Sequence, residues 1–233
     1  MEVLNLQKGD LLNLTKNYSK LNNIDLGLGW DASTKGSSWD LDVSALIVDE
    51  NNDIINTVYY GNLKGDGIRL NGDNLTGIGN GDDEIITIEL NSIPCNIKCI
   101  GIFVNIFGAN GRDFSQVKNA YIRMVNNDSH EEVCKYKLNE SGKGYSAFHF
   151  ANLERVNGEW RFKAVGEGTN GSISSLKTYF SKKLKDNTTN NSNTVTNNKA
   201  ETNKVDTNNQ PEINGQAEIK PSFKGFFARL FKK

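Results

Sequence analysis

The segment SWDLDVSALIV alternates along its length, with Trp39, Leu41, Val43, Ala45 and Ile47 at one set of positions and Asp40, Asp42, Ser44 and Leu46 at the other. A pleat of period two puts each set on its own face, so this stretch is committed to a strand with one face in a core. Shorter runs of the same kind follow at 54–60, 85–90, 99–107, 117–125, 133–138, 145–152 and 160–165. Turn-forming stretches separate them, among them 49–53, 126–128 and the hairpin dipeptide Asn157-Gly158. Many short strands joined by Gly and Asn turns, with no alternation of strand and helix, predict an all-β chain: a two-sheet antiparallel β-sandwich with a few short helices. One helix is expected near 172–185.

The sandwich is not expected to use the whole chain. Hydrophobic residues make up 36% of it, low for a compact fold, and the deficit is localised. Residues 1–185 form the expected sandwich. Residues 186–219 are dominated by Asn and Thr, without one aromatic residue. Such a segment buries too little apolar surface to offset its chain entropy and is expected to be a disordered linker. Residues 220–233, KPSFKGFFARLFKK, turn apolar and basic again. There Phe223, Phe226, Phe227, Leu230 and Phe231 recur at helical spacing behind the potential cap Ser222, and Lys220, Lys224, Arg229, Lys232 and Lys233 supply the polar face. A C-terminal amphipathic helix is expected, too short to span a bilayer. It suits an anionic membrane surface or a protein partner's groove, or it docks on its own sandwich.

The formal net charge of −1 marks no nucleic-acid partner. No signal segment and no membrane-length apolar run is seen. The odd set Cys95, Cys99 and Cys134 fits reduced thiols in the cytoplasm and cannot complete a zinc tetrahedron. A cytoplasmic location is expected, with a peripheral one on the inner membrane face if the tail binds lipid.

The segment GDNLTGIGNGDDE at 72–84 crowds Asp73, Asp82, Asp83 and Glu84 among four glycines. Crowded carboxylates repel one another, which raises their pKa values. A hard cation relieves that repulsion, and calcium accepts six to eight oxygens from carboxylates, amides and the carbonyls that a glycine-rich backbone can turn inward. An EF-hand is excluded, because positions 3, 5 and 6 of the window from Asp73 are Leu75, Gly77 and Ile78 and the flanks read as strands. The bland alternative is a solvated acidic turn.

Five ordered segments decide between these readings: GLGWDAS at 27–33, WDLDVSALIV at 39–48, the acidic loop at 72–84, QVKNAYIRMVN at 116–126 and NGEWRFKAVGEG at 157–168. In that order and spacing the chain resembles the TerD family of tellurium-resistance and stress-response domains over about residues 2–180. The resemblance implies a non-catalytic, calcium-binding sandwich holding two Ca2+ ions, and other stress-response proteins as partners. It implies ligands at Asp31, Asp73, Asn74, Asp82, Asp83 and Glu84, with Leu75 and Gly77 contributing carbonyls. Asp42 is either a further ligand or a solvent-facing strand residue. Asn80 stands where relatives usually carry Asp, which removes one anionic charge from the loop. Gly61 interrupts the usual Tyr-Asn-Asn, and Ser115 replaces a glycine before Gln116-Val117.

Other chemistry has fewer parts. Gly166 to Gly171 matches a dinucleotide-binding glycine pattern, but no second strand leads to Asp186, and a turn closing the sandwich is expected instead. Of the two histidines, His149 reads as a packed strand residue and His130 as part of a solvated turn. A metal-dependent hydrolase using the acidic cluster, and a calcium-triggered lipid-binding module, stand as alternatives.

Overall fold

The computed structural model describes residues 4–5, 7–18, 21–31, 39–72, 81–138 and 142–197. The chain divides into two units, Met1–Ser192 and Asn193–Lys233, and every described strand belongs to the first. The strands are β1 (Leu4–Asn5), β2 (Leu11–Asn13), β3 (Asn23–Gly29), β4 (Leu41–Asp49), β5 (Ile54–Val58), β6 (Lys64–Gly65), β7 (Ile68–Leu70), β8 (Glu84–Glu89), β9 (Ile97–Ile106), β10 (Tyr121–Asn126), β11 (Glu131–Lys137), β12 (Ala147–Val156) and β13 (Glu159–Thr169). Helix α1 (Leu14–Asn17) is a single turn, and α2 (Ile173–Asn197) follows the last strand.

Two sheets form, with strand orders β1-β11-β10-β3-β8-β7-β6 and β2-β13-β12-β9-β4-β5. Pairing is antiparallel throughout, as expected, with one exception: β1 runs parallel to β11, Leu4 opposite Cys134. The alternation read from the sequence is the packing. Leu41, Val43, Ala45 and Ile47 meet Ile24, Leu26 and Leu28 of β3 and Ile86 and Ile88 of β8 in one continuous core.

The two outer faces differ. On the β3–β8–β10 sheet the outer side is a polar ladder, in which Asn71 donates to the Thr87 hydroxyl at 2.7 Å and Thr87 donates to Asp25 at 2.6 Å. On the β4–β9–β12 sheet the outer positions Leu46, Val48, Cys99 and Phe103 form a second apolar cluster with Leu176, Phe180 and Leu184 of α2. Those three recur every four residues, which places one stripe of the helix on the sheet. The outward set of β4 is therefore outward in direction but buried, because a helix covers it. Gly101 makes the contact possible: a Cβ there would lie 2.5 Å from the Phe180 ring.

The helix also runs past the expected Lys185 end to Asn197, into the Asn/Thr-rich stretch. Extending a helix already nucleated by packing is far cheaper than starting one, so weak helix formers can continue it. Strand β10 starts at Tyr121 rather than near Val117, because Phe114–Gln116 is a 3-10 turn fixed by a capping box between Asp113 and Gln116. No helix among the described residues is long and apolar enough to cross a membrane.

Candidate metal centre

The end of β3 and the starts of β4 and β8 meet at one end of the sandwich, and the residues expected as ligands hang from them. Asp83 is clasped to β3 in both directions. Its backbone N–H donates to the Leu28 carbonyl at 2.7 Å, and its Oδ2 accepts from the Trp30 N–H at 2.9 Å. Trp30 is itself buried and donates its indole N–H to the Trp39 carbonyl at 3.2 Å, which fixes the chain just before Asp31. Asp31 is exposed, and its carboxylate accepts from Asn119 at 2.7 Å. Burial pushes the Asp83 pKa up, and the charges of Asp82 and Asp31 add to the rise against the Trp30 hydrogen bond. Asp31 and Asp83 are thus brought together as a pair of crowded carboxylates.

Asp82 goes elsewhere. Its carboxylate lies over Gly27 on the outer side of the sheet, where a Cβ on Gly27 would fall 2.1 Å from it. There it receives Arg123 Nε at 2.8 Å, Arg123 Nη2 at 2.9 Å and the Tyr121 hydroxyl at 3.0 Å. Neighbouring Gly29 leaves equivalent room for the Tyr121 ring. The glycines of GLGWD are therefore the floor of an ion pair between Asp82 and Arg123, while the Asp82 charge still acts on Asp83. Sequence reading missed Tyr121 and Arg123, although their i, i+2 spacing in a strand already placed them on one face.

Glu84 is buried and reaches across the sandwich, its Oε2 accepting from the Val43 N–H at 2.8 Å. That amide lies where β4 has no strand beside it on this edge, since β5 pairs only from Ala45 onward. Asp42 is also buried, at 3% exposure, and accepts from its cross-strand neighbour Asn105 at 2.9 Å. The reading of Asp42 as a solvent-facing strand residue is thereby overturned. Asp73, Asn74, Leu75 and Gly77 lie outside the described residues, as does Asn80. The loop's flanks are described: Gly72 and Gly81 both take φ of +99°, a left-handed conformation suited to glycine, and Asn71 N–H donates to the Ile85 carbonyl at 2.8 Å. Among the described residues, no three His, Cys, Asp or Glu side chains gather closely enough to hold a metal ion.

Among the described residues, neither histidine lies at this end of the sandwich. His149 is buried in the sheet and not at this end, while His130 occupies a turn with φ of +57°. The glycine pattern from Gly166 lies largely inside strand β13, which corrects the expected turn and leaves the dinucleotide reading without its strand–loop–helix context.

The family model of the TerD domain matches residues 1–180. Tellurium resistance protein TerD of Serratia marcescens is 40% identical over 181 residues, covering 74% of this chain and 94% of its own. Stress response protein SCP2 of Bacillus subtilis (strain 168) is 39% identical over 185 residues, covering 72% and 93%. In three dimensions, a homologue of telluride resistance protein (TerD), SCO6318 from Streptomyces coelicolor A3(2), superposes with a TM-score of 0.61 at 21% identity, over 67% of this chain and 95% of that one.

Proposed function

Because the chain belongs to the TerD domain family, whose named members are tellurium-resistance and stress-response proteins, we propose that it is a non-catalytic stress-response module that binds calcium at the Asp31–Asp83 end of the sandwich. The observation that carries this reading is the crowding of Asp83, partly buried beside Asp31 and Asp82, with its pKa raised. A carboxylate held under such strain is stabilised by a cation. Asp31 and Asp83 supply two anionic oxygens. The loop residues Asp73 and Asn74, with the Leu75 and Gly77 carbonyls, complete the donor set in this proposal. Asp82 and Glu84 act as supports, tying the loop's far end to Arg123 and Val43.

The segment 220–233 serves in this proposal as a basic, aromatic tether to an anionic membrane surface. The three free cysteines, with Cys99 and Cys134 buried, suit a reducing cytoplasm.

The test is a calorimetric calcium titration of the chelator-stripped chain, with thermal melts alongside. A raised carboxylate pKa means the native state holds its proton more tightly than the unfolded chain does. Stability therefore falls as pH rises from 3.8 through the native value, and the penalty persists at neutral pH. Asp83→Asn removes that penalty and keeps an acceptor for Trp30. It should leave the metal-free protein as stable as wild type or slightly more so, while abolishing most of the stabilisation by calcium. No heat and no calcium-dependent melting shift in the wild type would refute the metal reading.

A further inference from the structure

The end of the sandwich opposite the crowded carboxylates is hollow. Strand β3 runs from Asn23 to Gly29, roughly 20 Å for an extended chain of that length, so the residues before it lie far from Asp31 and Asp83. There a cavity of about 800 Å³ opens between the two sheets, walled by Tyr18, Leu21, Leu90, Ile93 and Trp160, with Arg155 among them.

Its walls are tied in place. The Asn22 carbonyl accepts from the Leu90 N–H, and Asn22 Oδ1 accepts from the Asn91 N–H, both at 2.9 Å. Thr15 Oγ1 accepts from the Trp160 N–H at 2.9 Å, which joins α1 to β13. A ligand entering this cavity has little chain left to order, which favours binding.

Arg155 gives the cavity its chemistry. It stands opposite Trp160 in the register of β12 and β13, and its guanidinium lies 4.4 Å from the centre of the Trp160 ring. Nη1 donates to the Pro94 carbonyl at 2.7 Å and Nη2 to the Ile93 carbonyl at 2.9 Å. Those bonds fix its orientation and leave further N–H donors of the fork unused. Among the described residues no carboxylate pairs with it, and burial lowers its pKa. Glu50 also lines the cavity but is exposed, and Lys98 donates to the Glu50 carbonyl at 3.2 Å. Trp160 is 5% exposed, and its indole N–H has no hydrogen-bond partner among the described residues. A half-buried cation held against an apolar wall without counter-charge is stabilised by an anion that brings an apolar body with it.

We propose that this cavity binds a small carboxylic acid with an apolar body, its carboxylate on Arg155 and its body among Leu21, Leu90 and Trp160. The planar fork of arginine matches a carboxylate through two parallel hydrogen bonds, and a single unpaired arginine suits a monoanion. The volume falls within the range of small-molecule sites. The cavity shares no residue with the Asp31–Asp83 end, so the proposal stands apart from the calcium reading.

The test is amide and indole chemical-shift titration of the full chain with 3-phenylpropionate, compared with 3-phenylpropan-1-ol and acetate. Saturable shifts are expected at the Trp160 indole N–H and at the Leu90 and Ile93 amides, with the Trp30 indole and the Asp83 amide unmoved. The alcohol, which lacks the charge, should bind about tenfold more weakly, and acetate, which lacks the body, more weakly still. Arg155→Lys keeps the charge without the fork and should weaken 3-phenylpropionate about tenfold, or about 1.4 kcal/mol, with the alcohol little changed. Arg155→Gln should abolish the preference for acid over alcohol. The spectra report whether each variant is folded, and the ranking of the three probes on the wild-type chain needs no variant. No saturable shift with 3-phenylpropionate, shifts centred on Asp83, or equal affinity for acid and alcohol would overturn the proposal.

Discussion

The ring of His149 stacks on Phe103 at a centroid distance of 4.3 Å and meets Phe180 edge-on at 5.0 Å, with Nε2 bound to Asn152 Oδ1 at 2.7 Å. Burial drives its pKa down to about 4, and the Asn152 hydrogen bond opposes this only in part. Between that value and the ordinary 6.5 the unfolded chain takes up a proton that the native state refuses, so stability falls as pH drops through this window. Urea unfolding at pH 7 and pH 5 should show about 2 kcal/mol of loss from this residue, and His149→Phe, which keeps the stack, should flatten the difference. An unchanged pH dependence in the variant would remove His149 from the account. The sequence showed that this histidine packs, because FHF sits in an alternating run. It did not show where Asp82 goes. That carboxylate looks like its neighbours in GDDE, and only the register of β10 beside β3 brings Arg123, far away in sequence, over Gly27.

At the scale of elements, strands with strong alternation were legible and those without it were not. Strand β4 was read correctly because polar and apolar residues alternate, whereas β3, whose leucines alternate with glycines, was not among the strands expected. The two-residue strands β1 and β6 carry no periodic signal at all. Helix α2 was visible as a helix, but its covering role was not, since that depends on Gly101 and Phe103 of a distant strand. Phe180 is buried to 1% exposure and touches the sheet through Phe103 at 5.3 Å. Phe180→Ala should cost about 3–4 kcal/mol in denaturant unfolding, and Phe180→Leu distinctly less. Equal costs would mean that the ring makes no shape-specific contact with the sheet.

For the whole molecule, the acidic end and the segment 220–233 are two separate sets of chemistry on one chain. The latter lies outside the described residues, and its proposed tethering role rests on its aromatic and basic pattern. In sedimentation with anionic vesicles, the full chain should be retained and a chain ending at Asn197 released. Equal retention of both would sink the tether. The pairing of the amino-terminal strands has a consequence of another kind. Strand β1 pairs with β11, and β2 pairs with β13, Leu12 opposite Phe162. A ribosome delivers Leu12 long before Phe162 exists. Both sheets therefore wait for their last partners until almost the entire sandwich has been synthesised. A chain built from such distant pairings closes late and slowly, and throughout translation its first strands are the ones that chaperones encounter unpaired.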